Sequence, residues 1–347
     1  KILKLQISNF RHHSFTLFLL AFGITVYAFP QTWASQASQP ELDVWNDPVF
    51  KKQFVAYYGI NAEAEPRITP EEVAILEKVR PLMADNLPKA EGVLKGRMKA
   101  DCSAILDFTL GGIQFQQDKM ADALGNYQKA VAKFPSFRRA WRNLGLIYVR
   151  NGRHDDAISA FTRMIELGGG DAYSYGLLGF AYAAKLDYQA AEAAYRNALL
   201  LQPENTEWRL GVTRCVFKQQ RFEDAVTLLE TLIGRYPDKA DFWLLQAQAY
   251  LGLKQPLKAA VNLEAVDRLG KATVDSLYTL GNVYVSENLI DLAASAFLRA
   301  IDVDVKQPFT RPLQSAEMLA ARGALAQARL VAAHVRETWE NQMEEVD

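Results

Sequence analysis

From about residue 70 onward, apolar residues return at the three-and-four spacing of amphipathic helices, and short polar or glycine-containing joints break the pattern at regular intervals. The pattern itself repeats. Ala123, Ala157, Ala191, Ala225, Ala259 and Ala293 stand 34 residues apart, and twelve positions before each lies a small residue: Gly111, Gly145, Gly179, Thr213, Ala247 and Gly281. A fixed period of this length predicts stacked supersecondary units, not one globular core. Numbered within the unit, positions 4, 7, 8 and 11 fall on one helical stripe, so a small residue at position 8 lets the second helix of the unit approach closely, and Ala at position 20 supplies the matching small surface. Position 24 then fills the interhelical space with Tyr127, Phe161, Tyr195, Leu229, Leu263 and Phe297. Burying each is worth about 1.5 to 3 kcal/mol. Pro135, Pro203 and Pro237 come where the second helix must stop, because proline lacks the donor and clashes with the preceding turn.

On this register the units run 104–137, 138–171, 172–205, 206–239, 240–273 and 274–307. A seventh, atypical unit and cap occupy 308–347; Ala316 and Ala328 arrive one residue late, Pro308 and Pro312 disturb its first helix, and the polar close 340–347 suits a solenoid end. Before the first unit, Thr69, Pro70, Glu71 and Glu72 form a helix start with a capping box, and a second start follows at Asn86 and Pro88. Helices at about 70–83 and 88–100 make residues 70–103 a degenerate opening hairpin. Fifteen or sixteen helices and no sheet are expected.

Trp141, Leu144, Gly145, Tyr148, Ala157 and Phe161 reproduce the spacing W-x2-L-G-x2-Y, then Ala, then an aromatic residue. The chain thereby resembles the tetratricopeptide repeats. That resemblance implies an all-α, right-handed α-solenoid whose first helices line a concave groove, with unit positions 2, 5, 9, 12 and 13 touching an extended or helical peptide. Carried onto this chain, the first zone holds Phe108, Phe115, Arg139, Arg142, Arg150, Tyr173, Phe180, Arg214, Phe217 and Lys218. A second, more acidic and polar zone holds Asp241, Leu244, Gln248, Asp275, Tyr278 and Asn282. Arginine forks beside aromatic faces suit carboxylates and apolar anchors on a partner; the plainer alternative is that Arg138, Arg139 and Arg142 form an ordinary solvated helix face. The Lys and Asn pattern of chaperone-tail binding is not expected, since Phe108, Gly112, Asn143, Tyr173 and Gly176 stand at those places and only Asn143 matches.

Charge and reactive residues narrow the function further. Thirty-nine basic against 40 acidic residues give a net charge of -1, which offers no bulk attraction to nucleic acid or an anionic membrane. Cys102 and Cys215 lie three repeats apart, too far for a disulfide, and are expected as buried thiols. Of the four histidines, His12 and His13 precede the repeats, His154 is expected in a solvated turn and His334 is alone, so no metal set forms and no cofactor is expected. Residues 168–171 lack the Gly-Lys-Ser/Thr ending of a phosphate loop, and no Gly-x-Ser-x-Gly elbow is present. The expectation is a non-enzyme.

At the other end, Lys1, Lys4 and Arg11 precede an uncharged run over 14–29, followed by small residues at two candidate signal-peptidase sites, so residues 1–37 are expected to be an export signal or a retained membrane anchor. The repeats then lie outside the cytoplasm, in a periplasm. Residues 38–69 form an aromatic linker whose short helix starts at Asp47 and Pro48 and carries Trp45, Phe50, Phe54, Tyr57 and Tyr58. Too short to fold alone, it must dock on the first repeats or on a partner. Residues 54–69 are similar to the leader of exported bacterial repeat proteins that accompany TonB, ExbB and ExbD systems, which implies envelope-complex components as partners. The expected function is a scaffold that binds a peptide or helix of a partner protein. The alternatives are an accessory subunit of a TonB-type complex, a structural assembly role, or a solenoid enzyme acting on glycan through groove acids such as Asp241 and Asp275.

Overall fold

The computed structural model describes residues 65–303 and 310–344, and the expected export segment and the helix starting at Asp47 lie outside them. Among the described residues the fold is an all-α helical repeat of sixteen helices without a strand. An opening hairpin, α1 (Pro70–Asp85) and α2 (Leu87–Lys95), precedes six pairs. These are α3 (Ala104–Gln116) with α4 (Met120–Lys133), α5 (Arg138–Arg150) with α6 (His154–Glu166), and α7 (Ala172–Ala184) with α8 (Tyr188–Leu201). Next come α9 (Thr206–Lys218) with α10 (Phe222–Arg235), α11 (Ala240–Gly252) with α12 (Pro256–Arg268), and α13 (Val274–Ser286) with α14 (Ile290–Val303). A closing pair follows, α15 (Thr310–Ala321) and α16 (Leu325–Glu344).

Helix boundaries follow local chemistry. The Thr69 hydroxyl accepts from the Glu72 N–H while the Glu72 carboxylate accepts from the Thr69 N–H, so the capping box read in the sequence forms. α2, expected to reach residue 100, stops at Lys95. Gly92 and Gly96 weaken that helix, and the N–H groups of Arg97 and Met98 both turn back to the Leu94 carbonyl at 3.1 Å. Pro312 does not disrupt α15, because it falls in the first turn, where its missing N–H has no intrahelical partner.

Packing within the units explains the small residues. All six position-20 alanines are fully buried, at 0% exposure. Position 8, however, faces the position-24 ring more closely than the expected alanine. A Cβ built on Gly111 would lie 3.0 Å from Tyr127, and one on Gly145, Gly179 or Gly281 would lie 2.7, 2.9 or 2.3 Å from Phe161, Tyr195 or Phe297. Where position 8 is Thr213 or Ala247, position 24 is Leu229 or Leu263. Glycine therefore accompanies a ring, and a side chain accompanies leucine.

Two further features repeat with the same period. The residue at position 15, between the helices of a unit, has a left-handed backbone in every unit: Asp118, Gly152, Leu186, Gln220, Lys254 and Asn288 have φ of 62, 68, 64, 61, 56 and 58°. Position 4 reaches back to the proline that ended the preceding unit. Trp141 and Trp243 donate their indole N–H to the carbonyls of Pro135 and Pro237 at 2.8 Å, and Arg209 donates to that of Pro203 at 2.6 Å. Cys102 and Cys215 are both buried, and they form no disulfide with each other, as the spacing implied.

Candidate functional site

The first helices form a row on which the sequence-predicted residues fall. α7 touches both α5 and α9 directly, so the first helices of repeats two, three and four are neighbours without an intervening second helix. Along this row the predicted residues separate into three groups.

Phe108 and Phe115 are a correction: both are buried and cannot line an open groove. Phe108 packs against Tyr127 and Phe137 with centroids 5.5 and 4.8 Å apart, and the Arg139 guanidinium lies over its ring at 5.1 Å. Phe108 is thus closed over by the second helix and the end of its own unit and by the first turn of the next, not left facing a groove.

Arg139, Arg142 and Arg150 have acidic partners within the chain. Arg139 holds Glu65 through two charge-assisted hydrogen bonds, Nε to Oε1 at 2.8 Å and Nη2 to Oε2 at 2.6 Å. The Arg142 Nε lies 2.9 Å from Asp171 Oδ2 without a well-aligned N–H bond, while the other Asp171 oxygen caps α7 through the Ser174 N–H at 2.7 Å. Arg150 pairs with Asp118 at 2.9 Å.

The remaining predicted residues are at least partly exposed on the row. Tyr173 is exposed and meets Trp208 edge-on at 5.6 Å, a step made possible because Gly176 leaves its backbone against the Trp208 indole. Phe180 is half-buried against His154 at 5.8 Å, and Phe217 against Phe222 at 5.3 Å. His154 thus opens α6 and packs on a ring, where a solvated turn was expected. Arg214 is half-buried and Lys218 exposed, and neither has an acidic partner among the described residues. Beneath them, Asn143 Nδ2 and Ser174 Oγ are buried with no hydrogen-bond partner among the described residues.

In the second zone Tyr278 is buried under Arg311, whose guanidinium sits 4.3 Å from the ring and pairs with Asp275 at 2.6 Å. Asp275 is therefore engaged, while Asp241, Leu244, Gln248 and Asn282 stay at least partly exposed. No group of His, Cys, Asp or Glu arranged to hold a metal ion occurs among the described residues.

Buried acids away from the row hold the scaffold. Burial alone would raise the Glu91 carboxyl, but hydrogen bonds from Lys119, Lys95, Gln114 and Gln117 outweigh it and lower its pKa from 4.5 to about 2. Glu192 is likewise lowered against its burial by hydrogen bonds from Arg196 and Gln219 and the charges of Arg196 and Arg221. These contacts tie α2 to α3 and α8 to α9 and α10.

One surface escaped the sequence analysis. Exposed Leu257, Val261 and Leu292 join Trp243, Leu269 and Tyr284 around an open groove of about 720 Å³ on the second-helix side of repeats five and six. Apolar residues at positions 18 and 22 carried its signal, which the search of first-helix positions passed over.

Models described as tetratricopeptide repeat match residues 108–172, 182–249 and 274–304. Among curated proteins, the chain is 22% identical to DnaJ homolog subfamily C member 3 of Gallus gallus over 55% of its length and 41% of that protein's. It is 27% identical to cellulose synthase operon protein C of Pseudomonas fluorescens over 38% of this chain and 11% of that one. Identity to Hsp70-Hsp90 organizing protein 3 of Arabidopsis thaliana is 26% over 44% of this chain and 28% of that one. The matched stretch thus spans less than half the length of each of these relatives. Among solved structures, a tetratricopeptide repeat protein of Parabacteroides merdae superposes with a TM-score of 0.45 at 17% identity, covering 78% of this chain and 100% of that one. YrrB, described as a protein with an unusual peptide-binding site, superposes with a TM-score of 0.47 at 20% identity, covering 53% and 92%.

Proposed function

Because this chain is a tetratricopeptide repeat protein, we propose that it is a non-catalytic scaffold that captures a segment of a partner protein along the first helices of repeats two to four. The observation that carries this reading is the pair of cations Arg214 and Lys218, which have no acidic partner among the described residues and lie beside the half-exposed rings of Phe217 and Phe180. Arg139, Arg142 and Arg150 on the same row are all paired, so an acidic, aromatic or aliphatic segment fits best from Tyr173 toward Lys218. The partners of the Hsp70-Hsp90 organizing proteins do not carry over, since Phe108, which stands at one of the places compared with that tail-binding pattern, is core.

The site of action in this reading is outside the cytoplasm, supported by the basic end and uncharged run of residues 1–37. Envelope components of a TonB-type system are the candidate partners, supported by the likeness of residues 54–69. A second reading, assembly through the outer face, is favoured by the apolar groove around Leu257, Val261 and Leu292.

The test is to replace Arg214 and Lys218 together by Glu. Capture of the partner from an envelope extract should fall about tenfold, or about 1.4 kcal/mol, while helix content and melting hold. Capture at the wild-type yield overturns the reading.

A further inference from the structure

We propose that Glu65 is a built-in competitor at the N-terminal mouth of the groove: residues 65–69 lie on the carboxylate-binding position made by Arg139, and an acidic partner segment enters by displacing them. The inference rests on the groove reading above and adds what opens its first position. Three observations carry it.

Glu65 and Arg139 are 74 residues apart, so their bidentate pairing is not a by-product of helix spacing. The guanidinium that receives it is fixed on its other side by two rings, lying 5.1 Å from the centre of Phe108 and 5.6 Å from that of Phe137. A planar fork held against aromatic faces, with its open edge toward a carboxylate, is an anion-recognition arrangement, and Glu65 shows what it accepts.

Among the described contacts, the far end of the segment is fixed at Thr69, the N-cap of α1, and what lies between Thr69 and Glu65 is held by polar contacts. Residues 66–69 have no helical structure. Besides the ion pair, the Arg67 carbonyl accepts from the Ser103 hydroxyl at 2.8 Å, and the Ser103 N–H donates to Glu72 at 2.6 Å. Both contacts converge on Ser103, the N-cap of α3, immediately before the repeats begin. Such polar contacts can be exchanged for those of a competing peptide without opening the core.

Finally, the other arginines of the row are paired differently. Arg142 and Arg150 take acids from the loop before α7 and from the turn between α3 and α4, both inside the repeats. Arg139 alone of these three takes its acid from outside the repeat array. A competitor that occupies the site nine-tenths of the time weakens apparent affinity about tenfold.

The test uses the full chain and a fluorescent synthetic peptide of residues 62–69, followed by anisotropy. Chain carrying Glu65→Gln should bind this peptide about tenfold more tightly than wild type. A peptide whose own Glu65 is changed to Gln should bind neither chain, and Arg139→Gln in the Glu65→Gln chain should abolish binding, with Arg139→Lys restoring only part of it. Equal affinity of wild type and Glu65→Gln, or no binding to either, overturns the proposal; a lowered melting temperature in Glu65→Gln without tighter binding makes the pair a structural staple only. Failure of the groove reading is separately visible, because it is read from partner capture at Arg214 and Lys218, which the peptide does not need.

Discussion

A methyl group on Gly281 would lie 2.3 Å from the nearest ring carbon of Phe297. That single contact states the packing rule of the repeats, since ring and side chain cannot share the space between the two helices of a unit. Gly281→Ala should therefore destabilise the protein by about 1 to 3 kcal/mol despite the better helix propensity of alanine. Adding Phe297→Leu should recover part of the loss, because the chain itself pairs Ala247 with Leu263. Denaturant midpoints of the four members of the cycle decide; additive losses would mean that the two residues do not share one space.

Leu186 is exposed and holds φ at 64°, where a side chain costs energy and glycine does not. Leu186→Gly should raise stability by about 1 kcal/mol, whereas Gly152→Leu, at φ 68°, should lower it by a similar amount. Calorimetric melting of both variants checks the sign.

Acid should loosen the opening hairpin through Glu91. Its folded pKa of about 2 lies below the unfolded value of 4.5, so the unfolded chain binds the proton more readily. The stabilisation is complete above about pH 4.5 and is lost as pH falls toward 2, amounting to at most about 3 kcal/mol. In Glu91→Gln this part of the acid limb should flatten. If wild type and variant lose stability in parallel between pH 5 and about 2, the hydrogen bonds to Glu91 are not what holds the hairpin.

Paired arginines should behave unlike unpaired ones. Arg142→Glu places an acid beside Asp171, the N-cap of α7, and should cost about 1 kcal/mol. Arg214→Glu should leave melting unchanged, because Arg214 has no acidic partner among the described residues to lose. Thermal melts of the two single variants suffice, and a stable Arg142→Glu with a destabilised Arg214→Glu would reverse the assignment.

Much of the fold was legible because its period is written in residue size. Gly145, Ala157 and Phe161 each report a distance between helices, and the capping box at Thr69 is a local contact. The partner of position 8 was less accessible: the covariation of glycine with a ring at position 24 is present in the chain, yet only geometry shows that Gly281 faces Phe297. The left-handed turn at position 15 left almost no trace, since Asp, Gly, Leu, Gln, Lys and Asn all occupy it. Site residues were harder still. Periodicity placed Phe108 and Phe180 on the same stripe, but the neighbours that bury one and leave the other half-open come from different units. The Glu65 to Arg139 pairing spans 74 residues and breaks no periodic rule, so nothing local announced it.

Photocrosslinking reports which face of the repeats a partner occupies. A benzoylphenylalanine placed at Phe180 or Phe217 samples the first-helix row, and one at Leu257 or at Leu200, which is 79% exposed, samples the outer side. Positions 180 and 217 should give a discrete adduct with one partner protein, lost when Arg214→Glu is added, and positions 200 and 257 none. Adducts from position 257 that survive Arg214→Glu, with none from 180 or 217, would contradict capture along the first helices.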